Sequence, residues 1–365
     1  MNKMGFGFLR LPLSDEKEQI VDEKRTCEMV DAFLEQGGTL FDTGYMYLDG
    51  KSEKALKTTL VERYPRDRFL LMDKLPTNLL EEPGDCQKYY DEQRARCGVE
   101  QFDIYFTHWL NRAHYRKGEK AGVFDFVKNL KARGETKEIG FSFHDSPEFL
   151  DFILTEHPEF DDVLLQLNYL DWESKSLRAK ELYEVAARHG KRIMVMEPLK
   201  GGTLTNLPAE VLSMYKESFP GDTPASLGLR FIHSLEHVSV CFSGMHTLEQ
   251  VNDNMKDFAP LTEEEKAVLK KAVKKINAAT AIPCTGCRYC EKSCPKTIAI
   301  PDYFAIYNEI CRFPEEGWKI KQAYDETIRK RHRLSDCVEC HSCERHCPQN
   351  IEILEYFDKI KESAK

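Results

Sequence analysis

The sequence predicts an α/β fold: a (β/α)8 TIM barrel followed by a small α-rich domain built around cysteines. Three observations predict it. Short runs rich in Ile, Val, Leu and Phe alternate with amphipathic, charge-rich stretches up to about residue 278, as buried parallel strands and their crossover helices do. The alternation then breaks at AATAIPC (278–284). Beyond it, eight of the 13 cysteines fall in two short runs.

The apolar runs, in order, are TLFDT (39–43), RFLLM (68–72), FDIYFTH (102–108), EIGFS (138–142), VLLQL (163–167), RIMVM (192–196) and VSVCFSG (238–244). A weak eighth candidate lies near Asp257-Phe258. Helix patterns lie between them, as in CEMVDAFLEQGG (27–38), whose two glycines form a helix stop. An open doubly wound sheet is the alternative. Against it, no G-x-G-x-x-G follows a strand, because Gly5-Phe6-Gly7 has Arg10 at the third glycine position. A last helix begins at Leu261-Thr262, where Thr262 and Glu265 make a capping box. The expected domains are therefore 1–278 and 279–365.

Composition narrows the partners. The 365 residues carry 52 Lys+Arg against 61 Asp+Glu, a formal charge of −9, which argues against a nucleic-acid footprint. No apolar run approaches the ~20 residues that span a bilayer, and MNKMGFGFLRLP has no signal-type apolar core. The expectation is a cytoplasmic chain with neither nucleic acid nor membrane as partner.

In that compartment thiols stay reduced, so the cysteines are not a disulfide framework. Cys27, Cys86, Cys97, Cys241 and Cys311 are scattered and are expected to be small buried or surface thiols. The other eight form two runs of C-x2-C-x2-C-x3-C-P, ending at Cys294-Pro295 and Cys347-Pro348. This is the ferredoxin-type spacing for 4Fe–4S clusters, in which the fourth cysteine of each run serves the other cluster. One cluster then takes Cys284, Cys287, Cys290 and Cys347, and the other Cys337, Cys340, Cys343 and Cys294. Zinc also uses paired C-x2-C knuckles, but it does not account for two four-cysteine runs, each closed by proline. The insertion between the runs carries Tyr303, Phe304, Tyr307, Phe313, Trp318 and Tyr324. Some of these must form the small domain's own core.

Three strand ends carry polar residues that buried strands do not need. Asp42 ends one run with Tyr47 just after it, Lys74 ends the next, and His108 the one after that. In a (β/α) barrel the C-terminal strand ends converge on one mouth, where active sites form. Taken singly, these are a capping Asp, a packing Tyr, a snorkelling Lys and a core His. Together they make a proton-transfer set.

On these residues the sequence resembles the aldo/keto reductase family, whose Asp, Tyr, Lys, His tetrad matches Asp42, Tyr47, Lys74 and His108. Further matches are GKSEKAL (50–56), IGFS (139–142), QLNY (166–169), MEPLKGG (196–202) and SGMHTLEQVNDN (243–254). With its cysteine-rich tail, the chain resembles the bacterial subgroup carrying a C-terminal ferredoxin-like domain. The resemblance implies hydride transfer from NAD(P)H to a small-molecule carbonyl. Tyr47 would be the general acid, Lys74 would lower its pKa, Asp42 would hold Lys74, and His108 would bond the carbonyl oxygen. It also implies Ser142 and Gln166 at the nicotinamide carboxamide, and Ser243, Gly244, Met245, Gln250 and Asn254 at the adenosine end. Phe143 stands where many members have Asn, and Gln250 where NADP-preferring members have Arg, with Lys200 or His246 as substitute cations. A second reading comes from another class: an electron-transfer iron–sulfur protein using the barrel as scaffold or docking surface. In either reading a redox partner protein is a candidate partner of the clusters.

Overall fold

Eight parallel strands close on themselves in the computed structural model, which describes residues 3–15, 19–174, 177–279, 281–312 and 332–363. They are β1 (Met4–Gly7), β2 (Leu40–Asp42), β3 (Leu70–Leu75), β4 (Ile104–Leu110), β5 (Glu138–Phe143), β6 (Asp162–Gln166), β7 (Arg192–Met196) and β8 (Val238–Gly244). The ring closes where β1 pairs with β8, from Met4 beside Cys241 to Gly7 beside Gly244, and with β2 on its other edge.

One expectation is corrected. The strand completing the barrel is β1, whereas Asp257-Phe258 belongs to no strand. Four residues with two glycines do not make an apolar run, yet the barrel requires Gly5. A Cβ there would meet the Phe242 ring at 2.5 Å. A small antiparallel ladder, Leu13–Asp15 with Ile20–Val21, follows β1.

Strand side chains alternate between the lumen and the surrounding helices. Leu40, Met72, Ile104, Phe106, Leu164, Met194 and Phe242 fill the lumen as one buried cluster. The opposite faces pack under the helices. Phe6, Phe8, Phe33 and Phe41, for example, form a knot of rings 5.2–5.9 Å apart between β1, β2 and the helix Glu23–Glu35. That helix stops at Gly37, whose φ of +85° suits glycine. Farther along the same lumen-facing alternation come Asp42, Lys74, His108, Ser142, Gln166, Met196 and Gly244.

By its internal contacts the chain divides into two units. The first comprises Met1–Glu173, Arg178–Pro198 and Gly228–Pro260, and the second Ser174–Leu177, Leu199–Leu227 and Leu261–Lys365. This division does not follow chain order. The segment after β7 and the helix Glu263–Ala279 group with the cysteine-rich part, although both precede residue 280. The reason is packing: that helix lies against Ala209–Ser218, with Lys275 ion-paired to Glu210. Its N-terminus carries the expected capping box, Thr262 N–H donating to Glu265 (2.8 Å) and Glu265 N–H to the Thr262 hydroxyl (3.2 Å).

Within the second unit the two cysteine runs are halves of a repeat. Ile298 and Ile351, Ile300 and Ile353, and Phe304 and Phe357 occupy matching positions and share one core with Ile282, Tyr303, Leu334 and Ile360. Of the insertion's aromatics, Tyr303 and Phe304 are buried in this core and Tyr307 packs against it. Phe313, Trp318 and Tyr324 lie outside the described residues. Among the described residues no helix is long and apolar enough to cross a membrane.

The tightness of the barrel wall can be tested at Gly140. A Cβ there would sit 2.4 Å from the Phe106 ring and 2.5 Å from the Asp162 carbonyl oxygen, which is backbone and cannot swing away. Gly140→Ala should destabilise the barrel by about 1–3 kcal/mol, read as a lowered urea midpoint. An unchanged midpoint would refute this packing.

Candidate active site and cysteine cradles

Period-two alternation carries Asp42, Lys74 and His108 into one layer of the lumen from three successive strands. Tyr47 reaches the same place from the loop after β2. Leu48 and Asp49, both at positive φ, turn the chain there into the helix Lys51–Leu56. All four are buried, Lys74 completely. The Lys74 ammonium donates to the Asp42 carboxylate and to the Thr43 carbonyl oxygen (2.6 Å). It lies 4.7 Å from the centroid of the Tyr47 ring, and the His108 ring meets Tyr47 edge-on with centroids 5.8 Å apart. The Nδ1 atom of His108 is buried and has no hydrogen-bond partner among the described residues. An unpaired buried nitrogen is costly unless a ligand completes it.

Burial sets the protonation states. It holds the Tyr47 phenol well above its ordinary range, and the carboxylates of Asp42, Asp73 and Glu197 add to the effect. Lys74, expected to lower this pKa, is paired to Asp42, and desolvation outweighs its effect on the phenol. Burial likewise raises the Asp42 carboxyl, opposed by Lys74. It pushes the His108 imidazole well below 6.5, helped by Lys74, His144 and His114. At neutral pH the site thus presents a protonated phenol beside a neutral imidazole.

The residues expected around a nucleotide are placed as follows. Ser142 and Gln166 lie in the lumen layer. The Ser142 hydroxyl accepts from the Trp109 N–H (2.6 Å), and the Gln166 amide donates to Asp171 (3.0 Å). Gly244 ends β8 in that layer. Ser243 and Met245 alternate outward, Met245 into the core and Ser243 to accept from the Asn254 amide (2.9 Å). The Gln250 side chain accepts from the His246 N–H (2.9 Å). Phe143 packs against Phe141 and Phe149. Lys200 is buried and donates to Gln349 (3.2 Å), a residue of the same second unit.

Sequence reasoning missed several residues. Trp109 sits at φ +59°, strained for a bulky side chain, where the β4–β5 register slips between Thr107 and Leu110. Nothing in a single sequence signals that bulge. Asp73, turned away from the lumen, shares a buried hydrogen bond with Glu53, and burial raises both carboxyls. Glu197, at φ +55° after β7, pairs with Arg10 (3.3 Å), and its second oxygen is buried without a partner among the described residues. The signal available was an acid at a strand's C-terminal end, the same signal that singled out Asp42.

In the second unit the eight cysteines of the runs separate into two cavities. Cys284, Cys287, Cys290 and Cys347 line one, and Cys294, Cys337, Cys340 and Cys343 the other. The backbone repeats between them. Positive φ recurs at Gly286 and Glu339, at Arg288 and His341, and at Thr297 and Asn350. The bends aim N–H groups at sulfur, Gly286 N–H to Cys284 Sγ (3.4 Å) and Glu339 N–H to Cys337 Sγ (3.3 Å). Among the described residues no three His, Cys, Asp or Glu side chains converge closely enough for a single metal ion. Four sulfurs around each cavity are the donor set that a 4Fe–4S cluster takes. Burial also lifts the thiols of Cys284 and Cys343 to about 11, so thiolates there need a neighbouring positive charge such as a metal brings. Of the scattered cysteines, Cys86, Cys97 and Cys241 are buried, Cys27 is half-buried and Cys311 exposed.

The chain belongs to the aldo/keto reductase family, which residues 3–274 match. Residues 283–352 match the 4Fe-4S dicluster domain. The chain thus joins an aldo/keto reductase barrel to a C-terminal iron–sulfur domain. Among solved structures, an aldo-keto reductase from Bacillus halodurans in its holo form is 21% identical, covers 74% of this chain and 91% of its own, and superposes with a TM-score of 0.61. An aldo/keto reductase from Klebsiella pneumoniae, in complex with NADP and acetate, is 18% identical over 74% of this chain and 90% of its own, with a TM-score of 0.59. Both share the fold. The NADH-specific methylglyoxal reductase of Escherichia coli K12 is 25% identical over 203 residues, 50% of this chain and 59% of that protein. A component of the ion-translocating oxidoreductase complex of Buchnera aphidicola is 29% identical over 82 residues, 22% of this chain and 14% of that protein. The chain thus spans less than two thirds of the length of either of these two relatives.

The buried imidazole yields a pH test. Histidine-ring NMR should show His108 neutral throughout the range around 6.5 in which exposed imidazoles take up protons, since its folded pKa lies well below that value. Titration of His108 near 6.5 would contradict the burial argument.

Proposed function

We propose that the protein reduces the carbonyl group of a small molecule, with Tyr47 as proton donor, and that its C-terminal domain holds two 4Fe–4S clusters. The observation that carries the first part is the convergence of Asp42, Tyr47, Lys74 and His108 in one buried layer, with a His108 nitrogen left to a ligand.

The nicotinamide, when bound, supplies a hydride to the carbonyl carbon. The chain's residues do the rest. The neutral His108 imidazole gives the carbonyl oxygen a hydrogen bond, which fixes the substrate's orientation and stabilises the charge developing on that oxygen. Tyr47, kept protonated by burial, donates its phenolic proton to that oxygen, and the alcohol leaves. The phenolate formed is offset by the Lys74 ammonium beside its ring, held in place by Asp42 and the Thr43 carbonyl, until a solvent proton restores the phenol. Ser142 and Gln166, lining the lumen, are suited to the nicotinamide carboxamide. Ser243, Gly244, Met245, Gln250 and Asn254 form the neighbouring β8 end, suited to the adenosine half.

The clusters, when bound, would supply one-electron storage. Cys284, Cys287, Cys290 and Cys347 would hold one, and Cys294, Cys337, Cys340 and Cys343 the other, the two groupings that line the two cavities. The likeness to a component of an oxidoreductase complex supports a redox role for them over a purely structural one. A protein in which only the clusters worked would have no use for the assembled tetrad, and this disfavours the scaffold reading.

Tyr47→Phe preserves the ring packing and removes the proton donor. It should lower kcat for carbonyl reduction by about 10²–10⁴-fold with cofactor affinity nearly unchanged. Near-wild-type turnover would overturn the assigned role. For the clusters, protein prepared without oxygen should contain iron and acid-labile sulfide in equal amounts, sufficient for two 4Fe–4S groups. Stoichiometric zinc without sulfide would defeat that part.

A further inference from the structure

The two cysteine cradles are built alike but charged differently. In each, the second residue after the closing cysteine lines the same cavity as that cysteine: Lys296 after Cys294, and Gln349 after Cys347. Lys296 is exposed. Gln349 is buried, and its amide oxygen accepts a hydrogen bond from the Lys200 ammonium at 3.2 Å. Lys200 is itself only 1% exposed and sits at φ +48°, a backbone conformation a lysine does not adopt without cause. The MEPLKGG segment after β7 thus bends sharply to place a buried cation behind Gln349, where the other cradle has a lysine in water.

We infer that Lys200 is the charge that sets the reduction potential of the cluster held by Cys284, Cys287, Cys290 and Cys347. The inference rests on the reading that the cradles hold clusters. One-electron reduction adds one negative charge to a cluster, with no bond broken and no proton required. A fixed positive charge nearby favours the reduced form. Between unit charges the interaction grows as the surroundings become less polar, so buried Lys200 acts strongly and exposed Lys296 weakly. Arg288, a cation that lines this cavity, is paired with Asp302 and Glu291. The two clusters therefore differ in potential by design, and the asymmetry originates in a residue of the β7 loop rather than in the cysteine repeat.

The test is an EPR-monitored redox titration of the full-length protein, prepared without oxygen and reduced with dithionite. Lys200→Met should lower the midpoint potential of one of the two cluster signals and leave the other in place. Lys200→Arg, which keeps the charge, should retain the wild-type value. Lys296→Met should shift its own signal less, and the shift should vanish at 1 M salt, where the Debye length falls to about 3 Å. If Lys200→Met loses a cluster, Lys200→Gln, which keeps a hydrogen-bond donor for Gln349, gives the same reading. Unmoved potentials in a variant with full iron and sulfide would overturn the inference, and so would equal shifts of both signals. Wild-type protein lacking iron and sulfide would instead defeat the cluster reading itself, and the inference with it.

Discussion

A lysine ammonium with no exposure to solvent lies inside the barrel, and the site is organised around its pairing. A charge so placed is tolerated only beside a partner, and removing one member of such a pair typically costs about 3–5 kcal/mol. Lys74 has the Asp42 carboxylate from the neighbouring strand and the Thr43 carbonyl next to it. That pairing ties β2 to β3 at the lumen mouth, and the loop leaving β2 delivers Tyr47 over the ammonium. The same burial that makes the pair necessary keeps Tyr47 protonated and His108 neutral. Structural constraint and acid–base poise thus have one origin.

Much of the barrel is legible in the sequence because strands buried on both faces show as apolar runs. Where that signal fails, it fails for a physical reason. β1 is short and half glycine because Phe242 fills the space a side chain would need, so no apolar run marks it. The tetrad stands out because an Asp, a Lys and a His interrupt runs that should be apolar. The order within the layer does not stand out, since it depends on strand register. The bulge at Trp109 and the buried partners Asp73 and Glu53 depend on contacts between distant elements, and no local pattern encodes them.

The cysteine domain is the opposite case. Ligand spacing is a local property, and two matching runs carry it almost entirely. What spacing does not contain is the surroundings of each cradle. Lys200 lies far from the runs in sequence and follows a barrel strand, where it reads as a nucleotide-side cation. In the structure it belongs to the second unit and bonds Gln349. The MEPLKGG segment thus brings a buried lysine to the surroundings of the cavity lined by Cys284, Cys287, Cys290 and Cys347, which no cysteine spacing encodes.

The proposed reaction is hydride transfer from nicotinamide to a carbonyl whose oxygen Tyr47 protonates. Reduction of a carbonyl substrate with nicotinamide cofactor deuterated on the transferred C4 position tests it most directly. Hydride transfer predicts deuterium on the carbinol carbon of the product, with the hydroxyl hydrogen drawn from Tyr47 and hence from solvent. Product carbon labelled only from deuterated water would mean that electrons and protons arrive separately, and would contradict it.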